Sequence, residues 1–230
     1  MNLKKTFAET IIKHKLIENN DKILIGFSGG KDSFVLYDLL FQLNKKAPIK
    51  FDILPVIINS YNTNYKKIEN FFKKNNQNYI IKNSDFDSIL KKTLGKQKNT
   101  GNYCFLCSRL RRGLLYKIAQ ENNCNKIALG HNLDDAIETF LLNMFFVSKF
   151  EGMKIKYKSK KDIYVIRPLI FLSENEILNY AIEKKFPILK TKCPLKKKDS
   201  KRELIKNIIK KMNNNINFYG SMRKVIEKFF

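Results

Sequence analysis

The feature that most constrains the fold is a repeated alternation between short apolar runs and longer amphipathic ones. "DKILIGF" (21–27) is strand-length and ends in glycine, and "SFVLYDLLFQLN" after it has the apolar spacing of a buried helix. "IKFDILPVII" (49–58), "NYII" (78–81) and "NKIALG" (125–130) read as further strands. Helices are predicted over 65–74, 85–94, about 104–122 and 134–146, with an exposed loop at 95–103. Strands separated by helices imply an α/β fold, a doubly wound and mostly parallel sheet. Beyond 148 a basic connection holds one short strand near 164–166. Ser173, three residues before Glu176, then signals a capped helix. Two further helical stretches, 201–212 and 219–229, close the chain. The expected organisation is an N-terminal helix (1–20), a central α/β domain (21–170) and a helical C-terminal region (171–230).

At 230 residues and 43% hydrophobic content the chain can bury one sizeable core. No apolar run approaches a membrane span, and the first 20 residues read as an amphipathic helix, so a cytoplasmic protein is expected. The net charge of +24 would attract a polyanion, RNA or DNA, although a lysine- and asparagine-biased composition is an alternative source of it. Only six of the 45 basic residues are arginine, and three of them, Arg109, Arg111 and Arg112, fall within four positions. Retained arginine in so lysine-rich a chain points to bidentate or phosphate contacts.

"SGGKDS", Ser28 to Ser33, joins the first strand to its helix, where backbone N–H groups can cradle an anion. It is not a Walker A loop, because Ile25 stands at the first glycine position and Asp32 where the hydroxyl belongs. A carboxylate beside a phosphate is repulsive unless a divalent cation bridges them, so Asp32 argues for Mg²⁺. The plainer alternative is a tight turn with a serine cap. Read together, Ser28, Gly29, Gly30, Lys31, Asp32 and Ser33 resemble the PP-loop of the N-type ATP pyrophosphatases. That resemblance implies ATP, cleaved to AMP and pyrophosphate to activate a carbonyl oxygen.

Four cysteines occur. Cys104 and Cys107 form C-x-x-C at the start of a predicted helix, both on one face, where the helix N-terminus favours thiolate. Cys193 stands alone, and with only His14 and His131 available a closed zinc site is hard to assemble. Three cysteines suit an iron–sulfur cluster with one iron open. Cys124 is roughly 25 Å along the helix from Cys107 and falls outside such a set.

"CFLCSRLRRG", "GHNLDD", "LNMF", "VIRPL" and "FPI", in this order, are similar to the TtcA family, the tRNA 2-thiocytidine synthetases, over nearly the whole chain. The resemblance implies a 4Fe-4S cluster on Cys104, Cys107 and Cys193; the open iron would present hydrosulfide, with a persulfide on one of the cysteines as the rival sulfur carrier. It also implies a nucleotide site completed by Gly130, His131, Asp134 and Asp135. Lys31 and Asp32 would serve catalysis, with Asp134 favoured over Asp135 for a nucleotide or metal role and helix capping as the alternative for the pair. The base would be cytidine 32 of the anticodon loop, extruded into a pocket near the cluster; Tyr103 and Phe105 are candidates to stack on it, with core packing as the alternative for both. Partners would be tRNA, with "KYKSKK" (156–161) and "KKKDSKR" (196–202) as docking segments and a solvated charge run as the alternative for each, a sulfur donor system such as a cysteine desulfurase, and a second copy in a homodimer. Asn132 matches the related 2-thiouridine synthetases instead, which keeps that base as an alternative. A cluster-free adenylating amide ligase such as tRNA lysidine synthetase is a second, and a non-catalytic RNA-binding module a third.

Overall fold

The computed structural model describes residues 3–59, 63–94, 100–189, 200–215 and 217–229. Elements follow in the order α1 (Leu3–Lys13), β1 (Lys22–Gly26), α2 (Lys31–Lys46), β2 (Asp52–Asn59), α3 (Lys66–Lys74), β3 (Ile80–Asn83), α4 (Phe86–Leu94) and α5 (Thr100–Glu121). Then come β4 (Lys126–Ala128), α6 (Leu133–Phe146), β5 (Lys156–Lys158), β6 (Tyr164–Ile166), α7 (Glu174–Glu183), α8 (Ser200–Asn215) and α9 (Phe218–Phe229). One six-stranded sheet has the order β3-β2-β1-β4-β6-β5, parallel throughout except for the β5–β6 edge pair. The expected doubly wound, mostly parallel sheet is therefore present.

Both faces of the sheet are buried, which explains why its strands are nearly uninterrupted apolar runs. The residues of β1 alternate between two cores. Ile23 and Ile25 join a large cluster with α1, α2, α3, α6, α7, α8 and α9, while Leu24 joins a smaller one under α4 and α5. Phe7, Ile25 and Ile177, one from each of the three expected segments, share the large cluster. Pro55 is accommodated within β2 because the β3 ladder begins only at Val56. No described helix is long and apolar enough to cross a membrane.

Two expectations are corrected. The helix that carries the C-x-x-C begins at Thr100, not near Cys104, so 100–103 is helical and not loop. Cys104 and Cys107 therefore sit beyond the first turn, where the favourable effect of the helix N-terminus has largely faded. Part of the basic connection forms an unanticipated strand, β5, whose Lys156, Tyr157 and Lys158 pair with β6. The turn between them is closed by Ser159, whose N–H donates to Ile163 O, and uses Asp162 at φ 64°.

The chain winds outward from β1 to β2 and β3 on one side and to β4 and β6 on the other. The crevice for a ligand in such a sheet lies at the carboxyl ends of the strands where the order reverses, between β1 and β4.

Candidate active site

The loop after β1 and the turn after β4 meet in that crevice. Gly29 adopts φ +81°, and a Cβ there would come within 2.8 Å of Ile68 Cδ1, so the position needs glycine on both counts. Its carbonyl accepts from Leu189 N at 2.9 Å, which ties the loop to the segment after α7. Ser28 Oγ accepts from Gly30 N at 3.2 Å, and Ser33 Oγ donates to Gly30 O at 2.8 Å. No side chain caps α2, so its first amides remain available to an anion.

A cavity of about 380 Å³ opens directly over this loop. Ser28, Asp32, Ser33, Gly130 and His131 form its polar floor, Val56, Ile58, Leu115 and Leu129 its apolar sides, and Arg111 reaches it from α5. An apolar slot beside a polar, amide-rich floor suits a base and its phosphates. At Gly130 a Cβ would stand 3.3 Å from the Asp32 backbone, so the two strand ends are in close contact.

Asn132 fixes the junction. Its Nδ2 donates to Asp32 Oδ1 at 3.1 Å while its Oδ1 accepts from Asp135 N at 3.1 Å. Asp135 completes a capping box by accepting from Asn132 N, and burial pushes its carboxyl upward. Its carboxylate is thus engaged in starting α6 and does not line the cavity. Asp134 faces α7 and α9, where it accepts from Glu174 N at 2.6 Å and from the Tyr219 hydroxyl.

Lys31 Nζ lies 2.8 Å from Glu174 Oε1 and 3.3 Å from Asp32 Oδ2. Burial works against its charge, but the Glu174 hydrogen bond and nearby Asp32 outweigh it and raise the ammonium above its ordinary value. The same bond holds Glu174 below the usual carboxylate range.

His131 accepts at Nδ1 from Arg167 Nε, 3.3 Å away, which assigns the proton of the neutral ring to Nε2. Burial first, then Arg167, Arg112 and Arg202, lower its pKa to about 4. Because this folded value lies below the ordinary 6.5, the unfolded chain binds more protons between those pH values. The contribution is complete above pH 6.5 and lost as pH falls toward 4, about 2–3 kcal/mol by pH 4.5. Urea unfolding at pH 7.5 and 4.5 should show this slope in the wild type, and His131→Gln should reduce it by that amount.

Cys107 is half-buried on α5, against the smaller core cluster. It shares a helical stripe with Arg111 and Leu115, four and eight residues on, which places it one turn from the cavity, about 6 Å of helix rise. Cys104 lies three residues before it on α5. Cys193 and the segment 196–199 lie outside the described residues, and among the described residues no group of three metal-binding side chains assembles. Cys124 is 4% exposed within the smaller core cluster, and burial raises its thiol. Phe105 is exposed on α5.

Sequence reasoning missed Glu174, Arg167 and Tyr219 as neighbours of the site and read Asn132 only as a family marker. Only Glu174 carried a local signal, as the first residue of the predicted capped helix.

A doubly wound sheet with an uncapped Gly-Gly-Lys-Asp loop at its switch point defines an ATP-binding protein of the PP-loop class, and the PP-loop domain family matches residues 2–212. A tRNA-cytidine(32) 2-sulfurtransferase 1 of Francisella tularensis subsp. tularensis is 41% identical over 93% of this chain and 79% of its own length. A tRNA-cytidine(32) 2-sulfurtransferase of Herminiimonas arsenicoxydans is 41% identical over 88% and 64%. The U34-tRNA thiolase NcsA from Methanococcus maripaludis, solved with its 4Fe-4S cluster, superposes with a TM-score of 0.77 at 25% identity, covering 98% of this chain and 76% of that one. The chain belongs to the tRNA-cytidine(32) 2-sulfurtransferase family of PP-loop proteins.

Proposed function

We propose that this protein thiolates cytidine 32 of tRNA at the expense of ATP. The observation that carries the reading is the placement of the Cys107 stripe one turn from a cavity floored by the glycine loop, in a chain 41% identical to enzymes of that name. The base C2 oxygen attacks the α-phosphorus of ATP and pyrophosphate leaves. Sulfur at the oxidation level of sulfide then adds to C2, and AMP departs with the oxygen, so no electrons are transferred overall.

In this reading Ser28, the amides of Gly30 to Ser33 and Lys31 take the polyphosphate, and charge on the departing pyrophosphate is met by Lys31. Asp32, steadied by Asn132, would hold Mg²⁺; its carboxylate at the cavity floor fits a hard cation between it and phosphate. Two thiols a turn apart on α5 are suitable soft donors for a 4Fe-4S cluster, with Cys193 as the third. A cluster held by three thiolates would leave one iron open to supply sulfide. His131, neutral with its proton on Nε2, is a hydrogen-bond donor to the nucleotide or base and not a proton acceptor at Nδ1.

Tyr103 and Phe105 as stacking surfaces, a desulfurase-type sulfur donor, a homodimer and a cytoplasmic location complete the proposal. Anaerobic incubation of unmodified tRNA with the cluster-loaded protein, MgATP and sulfide should yield 2-thiocytidine on nucleoside mass spectrometry. A 2-thiouridine product would instead favour the thiouridine reading suggested by Asn132.

A further inference from the structure

The lysine of the glycine loop is not free to meet a phosphate. The Lys31 side chain is 21% exposed and its Nζ lies 2.8 Å from the Glu174 carboxylate, which comes from a different element 143 residues away. Glu174 is itself positioned from behind. Its backbone N–H donates to Asp134 Oδ2 at 2.6 Å, and the other Asp134 oxygen accepts from the Tyr219 hydroxyl. One chain of contacts therefore runs from α9 through α6 and the start of α7 to the loop. Asp134, expected at the nucleotide, acts here as the anchor of Glu174.

We propose that Glu174 is an anionic latch that occupies Lys31 in place of phosphate, so that the polyphosphate of ATP must compete with a built-in carboxylate to enter the loop. The electrostatics set the sign. An incoming polyanion gains Lys31 but meets Glu174 and Asp32, and Mg²⁺ offsets the negative charge at Asp32 only. Glu174 then favours a multiply charged, metal-bound phosphate over weaker anions, since only the former recovers what the latch withholds. A purely structural Glu174 would add nothing to this competition, because its N–H alone makes the bond to Asp134.

The inference rests on the ATP-binding reading of the loop. The test is titration calorimetry of MgATP and of adenosine against the full chain, wild type and Glu174→Gln, which keeps the size and the backbone N–H of the residue. A half-exposed ion pair of this kind is worth up to about 1 kcal/mol, so MgATP should bind about three- to fivefold tighter to E174Q. Adenosine, which lacks phosphate, should bind equally to both. In a Lys31→Gln background, where Glu174 has no ammonium to withhold and acts on phosphate by repulsion alone, the gain should fall, so that K31Q/E174Q exceeds K31Q by less than E174Q exceeds wild type. Unchanged or weaker MgATP binding by a folded E174Q, a gain shared by adenosine, or a gain as large in K31Q as in the wild-type background would each overturn the latch. Wild type that bound no MgATP would instead overturn the ATP reading itself.

Discussion

Cys107→Ala should abolish tRNA thiolation while leaving MgATP affinity within about twofold of wild type. The loss should exceed the roughly 100-fold that marks removal of an outer partner of a metal ligand, because here a proposed ligand itself is removed. The separation of the two effects follows from geometry. Cys107 does not line the cavity, whereas Arg111, the next residue on its stripe, does. Stability should change little, since the thiol is only half-buried at the margin of the smaller core cluster. Nucleoside mass spectrometry reads the first effect and calorimetry the second. Thiolation that survived in Cys107→Ala would remove the C-x-x-C from the mechanism, and a parallel loss of MgATP binding would mean that the residue supports the cavity instead.

Asp21→Ala should be the most destabilising single change outside the apolar cores, at about 3–5 kcal/mol. Lys126 on β4 is 1% exposed, with its ammonium 2.7 Å from Asp21, 2.8 Å from Glu18 and 3.1 Å from Leu16 O. Asp21 also accepts from Glu18 N and from Asn125 Nδ2, which joins the α1–β1 and α5–β4 connections at the amino ends of the strands. Glu18 is 65% exposed on its side chain, so without Asp21 the buried ammonium keeps only a solvated counter-charge and the Leu16 carbonyl. For a chain of this size the expected fall in Tm is about 6–20 °C. Lys126→Met should cost less, because Asp21 then retains two donors. MgATP affinity should not change in either variant, since the cluster sits at the opposite end of the sheet from the loop. Urea unfolding and calorimetry check both points.

Sequence patterning sufficed where the signal was local. Apolar runs marked β1, β2 and β4 because both faces of the sheet are buried, and Gly29 marked the loop because its positive φ and the close approach of Ile68 admit little else. The patterning misled where composition disguised structure. Thr100 to Tyr103 contain glycine and asparagine, yet they continue α5, and Lys-Tyr-Lys at 156–158 reads as a charge run although it pairs along the sheet edge. "GHNLDD" announced a site, but its two aspartates divide between helix capping and anchoring Glu174, a distinction that depends on α7 and α9 arriving beside them. The Lys31–Glu174 contact and the Arg167 bond to His131 join distant parts of the chain, and no periodicity reports such pairs.

The most direct test of ATP-driven sulfur transfer to the base is a single anaerobic reaction in which AMP and the nucleoside at position 32 are quantified together. The tRNA would carry either cytidine or uridine at that position. The expected result is one AMP released for each 2-thiocytidine formed, with neither product from the uridine-32 tRNA or from Asp32→Ala. ADP in place of AMP, or 2-thiocytidine formed without ATP, would contradict the account.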